Sequence, residues 1–348
     1  MDPHTNAGIV EVPWQARFYR EGDIPALAEL ISTADRADGV YKQTGEEDLR
    51  DTFETPGLEP ERRVIVVEGP KLPGVPQGLL LGFGRAFPST DKARNERIYN
   101  VALRVRPEAR QYGLEREIAR RLVELARQHE AEAAPGLAPA SKVRLRTYLF
   151  DTHTSARSVW EQTGLRRVRT GWTMLRPLDD SLADPQPVEG VTLRTYRRPE
   201  DNAATLQALN SSFADNFDFQ PLSDSRWEYA MSASYVRPDL SWVAEPSDEP
   251  GRIVGFSVCW ITEEENERTG RKEGWVEGLG VVREWRRQGI GRALLLNSLH
   301  SLRSAGMEAA LADVDSESEA PTRLFQLAGF GVRNSLSQYE CYLDEVTV

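Results

Sequence analysis

Residues 283–296, REWRRQGIGRALLL, combine positive charge and glycine in a way that could bind an anion. Arginine supplies charge-assisted donors, and glycine has no Cβ that would keep a ligand from the backbone. A strand that ends in such a turn and leads into a helix presents unpaired backbone N–H groups, where the helix dipole adds positive potential. The spacing therefore predicts a phosphate site. The residues available for it are Arg286, Arg287, Gln288, Gly289, Ile290, Gly291 and Arg292.

The known phosphate-binding patterns of nucleotide enzymes do not fit this turn. Leu294 occupies the position of the third glycine of G-x-G-x-x-G, and G-x-x-x-x-G-K-[ST] does not occur in the chain. A dinucleotide or nucleoside-triphosphate site is thus disfavoured. The alternative is an ordinary basic turn that precedes a helix.

A second, similar stretch, RPEARQYGLEREI at 106–118, indicates that the chain is duplicated. Gly113 and Gly289 are 176 residues apart, and Asp23 and Asp201, each before a helical pattern, are 178 apart. Each half reads as a strand, two helices, three strands that lead to the glycine turn, a long helix, a strand, a short helix and closing strands. This order predicts an α/β fold with a mixed sheet (α+β), present twice.

Proline and acidic residues separate the two halves in RPLDDSLADPQPVEG, 176–190. Such a composition is typical of a connecting segment. We therefore expect an N-terminal domain at 1–178, a linker at 179–190 and a C-terminal domain at 191–348.

Composition narrows the classes of function. The chain has 348 residues, two cysteines and four histidines, without the spacing of a disulfide framework or a metal site. No signal peptide or membrane-length apolar segment is found, so we expect a cytoplasmic protein without a membrane partner. The net charge is −11, and residues 1–180 carry 27 basic and 27 acidic side chains, so the acidic excess lies in 181–348. This balance disfavours nucleic acid and favours a cationic partner.

The turn and its surroundings resemble the GNAT superfamily of N-acetyltransferases. Residues 281–291, VVREWRRQGIG, match V-x-P-x-x-R-x-x-G-x-G/A, except that Arg283 replaces proline. SEAPTRLFQLAGF, 318–330, lies where the family has N-x-x-A-x-x-L-Y-x-x-x-G-F. The layout is similar to that of tandem GNAT enzymes such as mycothiol synthase. The resemblance implies two tandem GNAT-like acyl-CoA N-acyltransferase domains.

The resemblance also implies a set of cofactor contacts in the C-terminal half. The turn at 286–292 would hold the pyrophosphate of acetyl-CoA, and the backbone of Leu279, Val281 and Val282 would bind the pantetheine arm. Ser318 occupies the place of the family asparagine and can still donate a hydrogen bond. No metal is implied.

In the N-terminal copy Glu115 occupies the position of Gly291. A carboxylate next to a diphosphate costs Coulomb energy and fills the space that the backbone contact needs. We therefore predict that this half shapes the structure or the substrate site and has no productive acetyl-CoA site.

Catalytic roles rest on fewer residues. Glu277 is the candidate general base, and an exposed or ion-paired strand glutamate is the alternative. Phe325 stands where the family often has a tyrosine as proton donor, so Tyr339 is the candidate acid, and water or Tyr342 is the alternative. Asp215 and Asp218 could hold an ammonium group of the acceptor.

The sequence thus predicts an acetyl-CoA-dependent N-acetyltransferase that modifies a primary amine of a small molecule. One alternative is mycothiol-synthase-like acetylation of an amino-acyl glycoside. Another is a non-catalytic acyl-CoA-binding or regulatory module. We expect either a monomeric pseudo-dimer or a homodimer.

Overall fold

A computed structural model describes residues 14–40, 44–55, 57–69, 78–91, 94–132, 142–217 and 219–347. The chain forms two compact units. The first contains residues 1–170 and 334–348, and the second contains residues 171–333.

The first unit has strands along one sheet in the order β1, β2, β3, β4, β5 and β12. The bounds of its strands are β1 Gln15–Phe18, β2 Val64–Glu68, β3 Leu80–Asp91, β4 Glu96–Val105, β5 Lys142–Phe150 and β12 Gly331–Tyr342. Its helices are α1 Ile24–Ala37, α2 Glu46–Phe53, α3 Pro60–Arg63, α4 Pro107–Arg110, α5 Leu114–Glu132 and α6 Thr154–Gln162.

The second unit repeats this order with its strands arranged as β6, β11, β10, β9, β8 and β7. Its strands are β6 Arg166–Pro177, β7 Val191–Thr195, β8 Trp242–Pro246, β9 Gly255–Trp260, β10 Glu273–Val281 and β11 Ala309–Asp315. Its helices are α7 Asn202–Phe213, α8 Asp224–Ser232, α9 Glu263–Thr269, α10 Ile290–Ser304 and α11 Glu319–Leu327. Both units are mixed α/β sheets, as the sequence predicts.

Local sequence explains the principal elements. β2 is VIVVE, and its four β-branched residues are buried on both faces. α10 has apolar residues at helical spacing, and Leu294, Leu295, Leu299 and Leu302 are fully buried. Gly274 lets β10 pass beneath this helix, because a Cβ there would lie 2.5 Å from Leu302 Cδ2.

The unit boundaries differ from the predicted domains at 1–178 and 191–348. Gly171–Pro177 of β6 pair antiparallel with β11 in the second unit. Leu336–Tyr342 of β12, at the end of the chain, pair antiparallel with β5 in the first unit. Each closing strand therefore completes the sheet that contains the other half's central strands.

The predicted linker at 179–190 is packed against the second unit. Leu182 is buried in the apolar core beneath α10, and Val188 contacts a second apolar cluster. The ring of His300 lies 3.1 Å from the Ala183 carbonyl oxygen. This segment is part of the fold, because Leu182 and Val188, on either side of its two prolines, bury apolar surface.

Within the described ranges, no helix has the length and apolar character needed to cross a membrane.

Candidate active site

Strands β10 and β11 separate before the glycine turn is reached. Their parallel pairing covers only Glu273–Trp275 against Ala309–Leu311, while β10 continues to Val281. On its other side, β10 pairs with β9 through Val281. In the part of the chain that the structure describes, the ladder of β10 beyond Trp275 continues on the β9 side, so the side away from β9 can bind an extended ligand that carries amide groups.

A β-bulge interrupts β10 at Glu277. Val276 lies opposite Cys259 and Gly278 opposite Val258, so the register shifts at Glu277. A bulge redirects a side chain and is common beside active sites. Glu277 is exposed where the two strands diverge.

Aromatic residues lie near this glutamate. Burial raises the pKa of the Tyr235 hydroxyl, and the charges of Tyr229 and Glu277 raise it further. The rings of Tyr235 and Trp260 pack edge to face, with centroids 5.0 Å apart. Glu277 therefore lies near the aromatic segment after α8, a suitable surface for an acceptor molecule.

Hydrogen bonds hold the turn after β10 in place. The Val282 N–H donates to the Val254 carbonyl at 2.9 Å. Arg286 donates from Nε to the Val281 carbonyl at 3.0 Å and from Nη2 to the Ser212 carbonyl at 2.7 Å. Part of this guanidinium, predicted to hold phosphate, thus fixes the turn to β10 and α7.

The turn presents a row of backbone N–H groups at the start of α10. Arg287 and Gly289 have φ of 64° and 87°, in the left-handed region. Among the described residues, the N–H groups of residues 287–292 have no acceptor, and the first helical bond runs from Ala293 to Gly289 at 3.0 Å. Six adjacent donors at a helix N-terminus form an anion site.

Positive side chains surround these donors. Arg287 and Arg292 are exposed, and neither forms an ion pair with any described residue. Arg283, which replaces the family proline, pairs with Asp215. Asp215 therefore neutralises a residue of the turn, while Asp218 lies outside the described residues.

The neighbouring α11 contributes two of the predicted positions. Ser318 is the N-cap residue, and its Oγ donates to Asp315 Oδ2 at 2.8 Å. The Phe325 ring is buried and packs edge to face with Phe330, with centroids 5.1 Å apart. Phe325 thus fills the core of the second unit and has no proton to donate.

Tyr339 lies in the other unit. It is 5% exposed, on β12 opposite Thr147 of β5, within the apolar core of the first unit. Its predicted role as an acid stays a prediction.

The equivalent turn of the first unit is closed by its own side chains. The Gly113 N–H donates to the Arg110 carbonyl at 3.2 Å. Arg110 Nε donates to the Val105 carbonyl, as Arg286 does to Val281, but its two Nη atoms bind the Asp38 carboxylate at 2.6 and 2.8 Å.

Glu115 completes this closure. Its carboxylate is buried and accepts a hydrogen bond from Ser155 Oγ. Burial raises the pKa of Glu115, although Ser155 and Arg110 oppose this shift. An acidic group thus occupies the place where the second unit leaves backbone donors open.

Tyr235, Trp260 and Gly278 lie beside the bulge and are not among the site residues predicted from the sequence. The available signal was the repeat of GFGRAF, 82–87, as GFSVCW, 255–260. It aligns β3 with β9 and therefore places Trp260 at the position of Phe87.

The comparisons with known proteins agree with this geometry. Residues 204–330 match the model of the acetyltransferase (GNAT) family. A mycothiol acetyltransferase of Salinispora arenicola is 28% identical over 331 residues, which cover 91% of this chain and 94% of the relative. A mycothiol acetyltransferase of Streptomyces bingchenggensis is 34% identical over 54% of this chain and 59% of its own.

Solved structures extend the likeness over the whole chain. A GCN5-related N-acetyltransferase from Sphaerobacter thermophilus has a TM-score of 0.73 and 26% identity, over 95% of this chain and 97% of its own. A tandem GNAT protein from the clavulanic acid biosynthesis pathway shares the fold, with a TM-score of 0.64 and 17% identity over 96% and 99% of the two chains.

Proposed function

Since this chain is an acetyltransferase of the GNAT family, we propose that it transfers the acetyl group of acetyl-CoA to a primary amine of a small molecule, with the second unit as the site of transfer. The observation that carries the proposal is the row of open N–H groups at residues 287–292. Pyrophosphate is the part of acetyl-CoA that such a row can bind, and Arg287 and Arg292 add charge.

The side of β10 away from β9 suits the next part of the co-substrate, the pantetheine arm. Pantetheine carries amide groups in an extended chain, which can pair with the backbone of residues 276–281 as an added strand. A molecule bound at both places carries its thioester past Gly278 toward Glu277. The β10 backbone N–H nearest the thioester can then hold the oxygen that becomes negative in the reaction.

Acetyl transfer requires that the acceptor amine be deprotonated. Glu277 at the bulge accepts a proton from the ammonium form, and the amine then attacks the thioester carbonyl. The C–S bond breaks, CoA leaves as the thiolate, the attacking nitrogen loses its second proton to water, and the acetyl group remains on nitrogen as an amide. We assign the final protonation of the thiolate to solvent, because Phe325 cannot supply a proton.

The names of the relatives indicate a class of acceptor molecule. Several are named mycothiol acetyltransferases, so we propose an amino-acyl glycoside as the acceptor class. The aromatic pair of Tyr235 and Trp260 beside Glu277 supports this choice, because aromatic faces pack against the apolar faces of sugar rings.

A thiol-release assay tests the proposal. The full chain is incubated with acetyl-CoA and a panel of amines that includes amino-acyl glycosides, simple amino sugars, polyamines and a lysine peptide. We expect release of CoA thiol that depends on the amine and is fastest with an amino-acyl glycoside. Acetyl-CoA binding without turnover on any amine would contradict the transfer. Preference for a polyamine or for the peptide would contradict the acceptor class alone.

A further inference from the structure

One sheet face of the first unit corresponds to the acceptor side of the second unit. It carries different residues. Gly82 lies opposite Val105 in β3 and β4, and Gly255 lies opposite Val281 in β9 and β10. With GFGRAF and GFSVCW aligned in this register, Arg85 occupies the place of Val258. The first unit therefore has an arginine where the second has an apolar residue.

A second arginine lies next to it. Phe83 is opposite Arg104, whereas Phe256, its counterpart, is opposite Gly280. Successive residues on one sheet face alternate along each strand, so Arg85 and Arg104 share the face that α1 covers. Two like charges at neighbouring positions of one sheet face repel each other unless anions lie between them.

Carboxylates compensate the other arginines of this part of the fold. Arg104 Nε donates to Asp35 Oδ1 at 2.5 Å, and Asp35 is 3% exposed. Arg110 is paired with Asp38, as described above. Arg144 binds Asp91, Glu96 and Glu340.

Arg85 differs from all of these. Among the described residues it has neither a carboxylate partner nor a hydrogen-bond acceptor, and its contact is with the Phe87 ring, whose centroid lies 5.1 Å from Arg85 Cζ. The side chain is partly buried. Burial lowers the pKa of Arg85, and the charge of Arg104 lowers it further.

An uncompensated guanidinium in this position is unfavourable. A partly buried charge without a partner loses hydration that no protein group replaces. An anion from solution can compensate the positive charge of Arg85. A planar carboxylate fits the fork of guanidinium donors. The aromatic ring beside Arg85 restricts the side chain, which lowers the entropic cost of binding.

We propose that the first unit binds a small carboxylate-bearing molecule at Arg85, on the face that corresponds to the acceptor side of the second unit. Asp35 keeps Arg104 neutralised, so the bound carboxylate interacts chiefly with Arg85. This site is separate from acetyl transfer and does not depend on the proposed function.

Isothermal titration with sodium succinate, at an ionic strength fixed with sodium chloride, tests the site on the full chain. We expect saturable binding of one succinate per chain. The Arg85→Gln variant should bind about tenfold or more weakly, in keeping with the loss of charge-assisted hydrogen bonds. Arg85→Lys keeps the charge but loses the forked pair of donors. Its succinate affinity should lie between those of the wild type and Arg85→Gln.

Two controls separate binding from folding. Arg85→Gln removes an uncompensated charge, so its thermal unfolding temperature should equal or exceed that of the wild type. Arg116→Gln changes an exposed arginine of the same unit that bonds Gln162, and its succinate affinity should be unchanged. Absence of saturable heat with the wild type, or equal affinity in Arg85→Gln, would overturn the proposal.

Discussion

Gly289 and Gly291 contribute to the glycine turn for different reasons. Gly289 has a φ of 87° and open space around it, so its backbone conformation requires glycine. At Gly291 a Cβ would lie 3.5 Å from Leu324 and 3.6 Å from Val281, which is ordinary contact. Alanine therefore fits at Gly291 but is strained at Gly289.

Gly289→Ala tests the conformational requirement. We expect a loss of about 1 kcal/mol in the free energy of unfolding, because the side chain disfavours a left-handed φ. The turn relaxes by moving its N–H groups, so acetyl-CoA should bind more weakly. Gly306→Ala is the matched control, since Gly306 has a φ of 85° and open space at the other end of α10. It should cost similar stability and leave the affinity for acetyl-CoA unchanged. Equal affinities in the two variants would contradict the role of the turn.

Glu277→Gln tests the general base. We expect kcat to fall about 10²- to 10⁴-fold, the usual contribution of a positioned base, with little change in the KM for acetyl-CoA. Glu273→Gln, on the segment of β10 that is paired with β11, is the control and should retain kcat. A kcat for Glu277→Gln within about threefold of wild type would assign proton removal to solvent.

At the scale of the element, β10 combines a packed glycine with an open one. A Cβ at Gly280 would lie 2.5 Å from Ser212 Oγ and 2.6 Å from the Phe256 ring, both of which are buried. A Cβ at Gly278 would lie 3.6 Å from Phe256, in ordinary contact. The packing of α7 against the strand thus explains Gly280, whereas protein packing leaves room for a side chain at Gly278.

Alanine at the two positions should separate stability from activity. Gly280→Ala should lower the free energy of unfolding by about 1–3 kcal/mol, because α7 must move. Gly278→Ala should leave thermal unfolding unchanged and slow acetyl transfer, since its methyl group faces the proposed path of the thioester. Thermal unfolding and the thiol-release assay measure both effects. An unchanged rate in Gly278→Ala would place the thioester elsewhere.

The whole molecule consists of two units that each include a closing strand from elsewhere in the sequence. Glu340 on β12 accepts hydrogen bonds from Arg144 Nη1 at 2.7 Å and from Arg146 Nε. Both arginines are buried, and the Glu340 side chain is 10% exposed. The end of the chain is therefore held in the first unit by buried ion pairs as well as by the strand ladder.

Glu340→Gln should destabilise the first unit. Removal of one charge from a buried ion-pair network costs about 3–5 kcal/mol, because the arginines lose their compensation. Hydrogen exchange should show faster exchange in β5, at 142–150, and unchanged exchange in β10, at 273–281. Asp344→Asn, an exposed change on the same terminal segment, is the control and should alter neither. Equal loss of protection in both strands would contradict this assignment of the terminal strand.

Much of this architecture follows from local sequence. The glycine turns, their helices and the duplication are predicted from spacing alone, because apolar periodicity and glycine reflect local geometry. The destination of β12, and with it the place of Tyr339, could not be predicted, since a strand's partner depends on contacts distant in sequence. The bulge at Glu277 could not be predicted either, because one extra residue in a strand leaves no recognisable sequence pattern. The anchoring of Arg286 by two carbonyl groups also depends on α7, which is distant along the chain.

The central claim is that the second unit binds acetyl-CoA and the first does not. A reciprocal exchange of Gly291 and Glu115 tests it most directly, with isothermal titration of acetyl-CoA into the full chain. We predict one site per chain in the wild type, in Gly291→Ala and in Glu115→Gly, and no measurable binding in Gly291→Glu. A Gly291→Glu variant that still binds one acetyl-CoA with wild-type affinity would contradict the account.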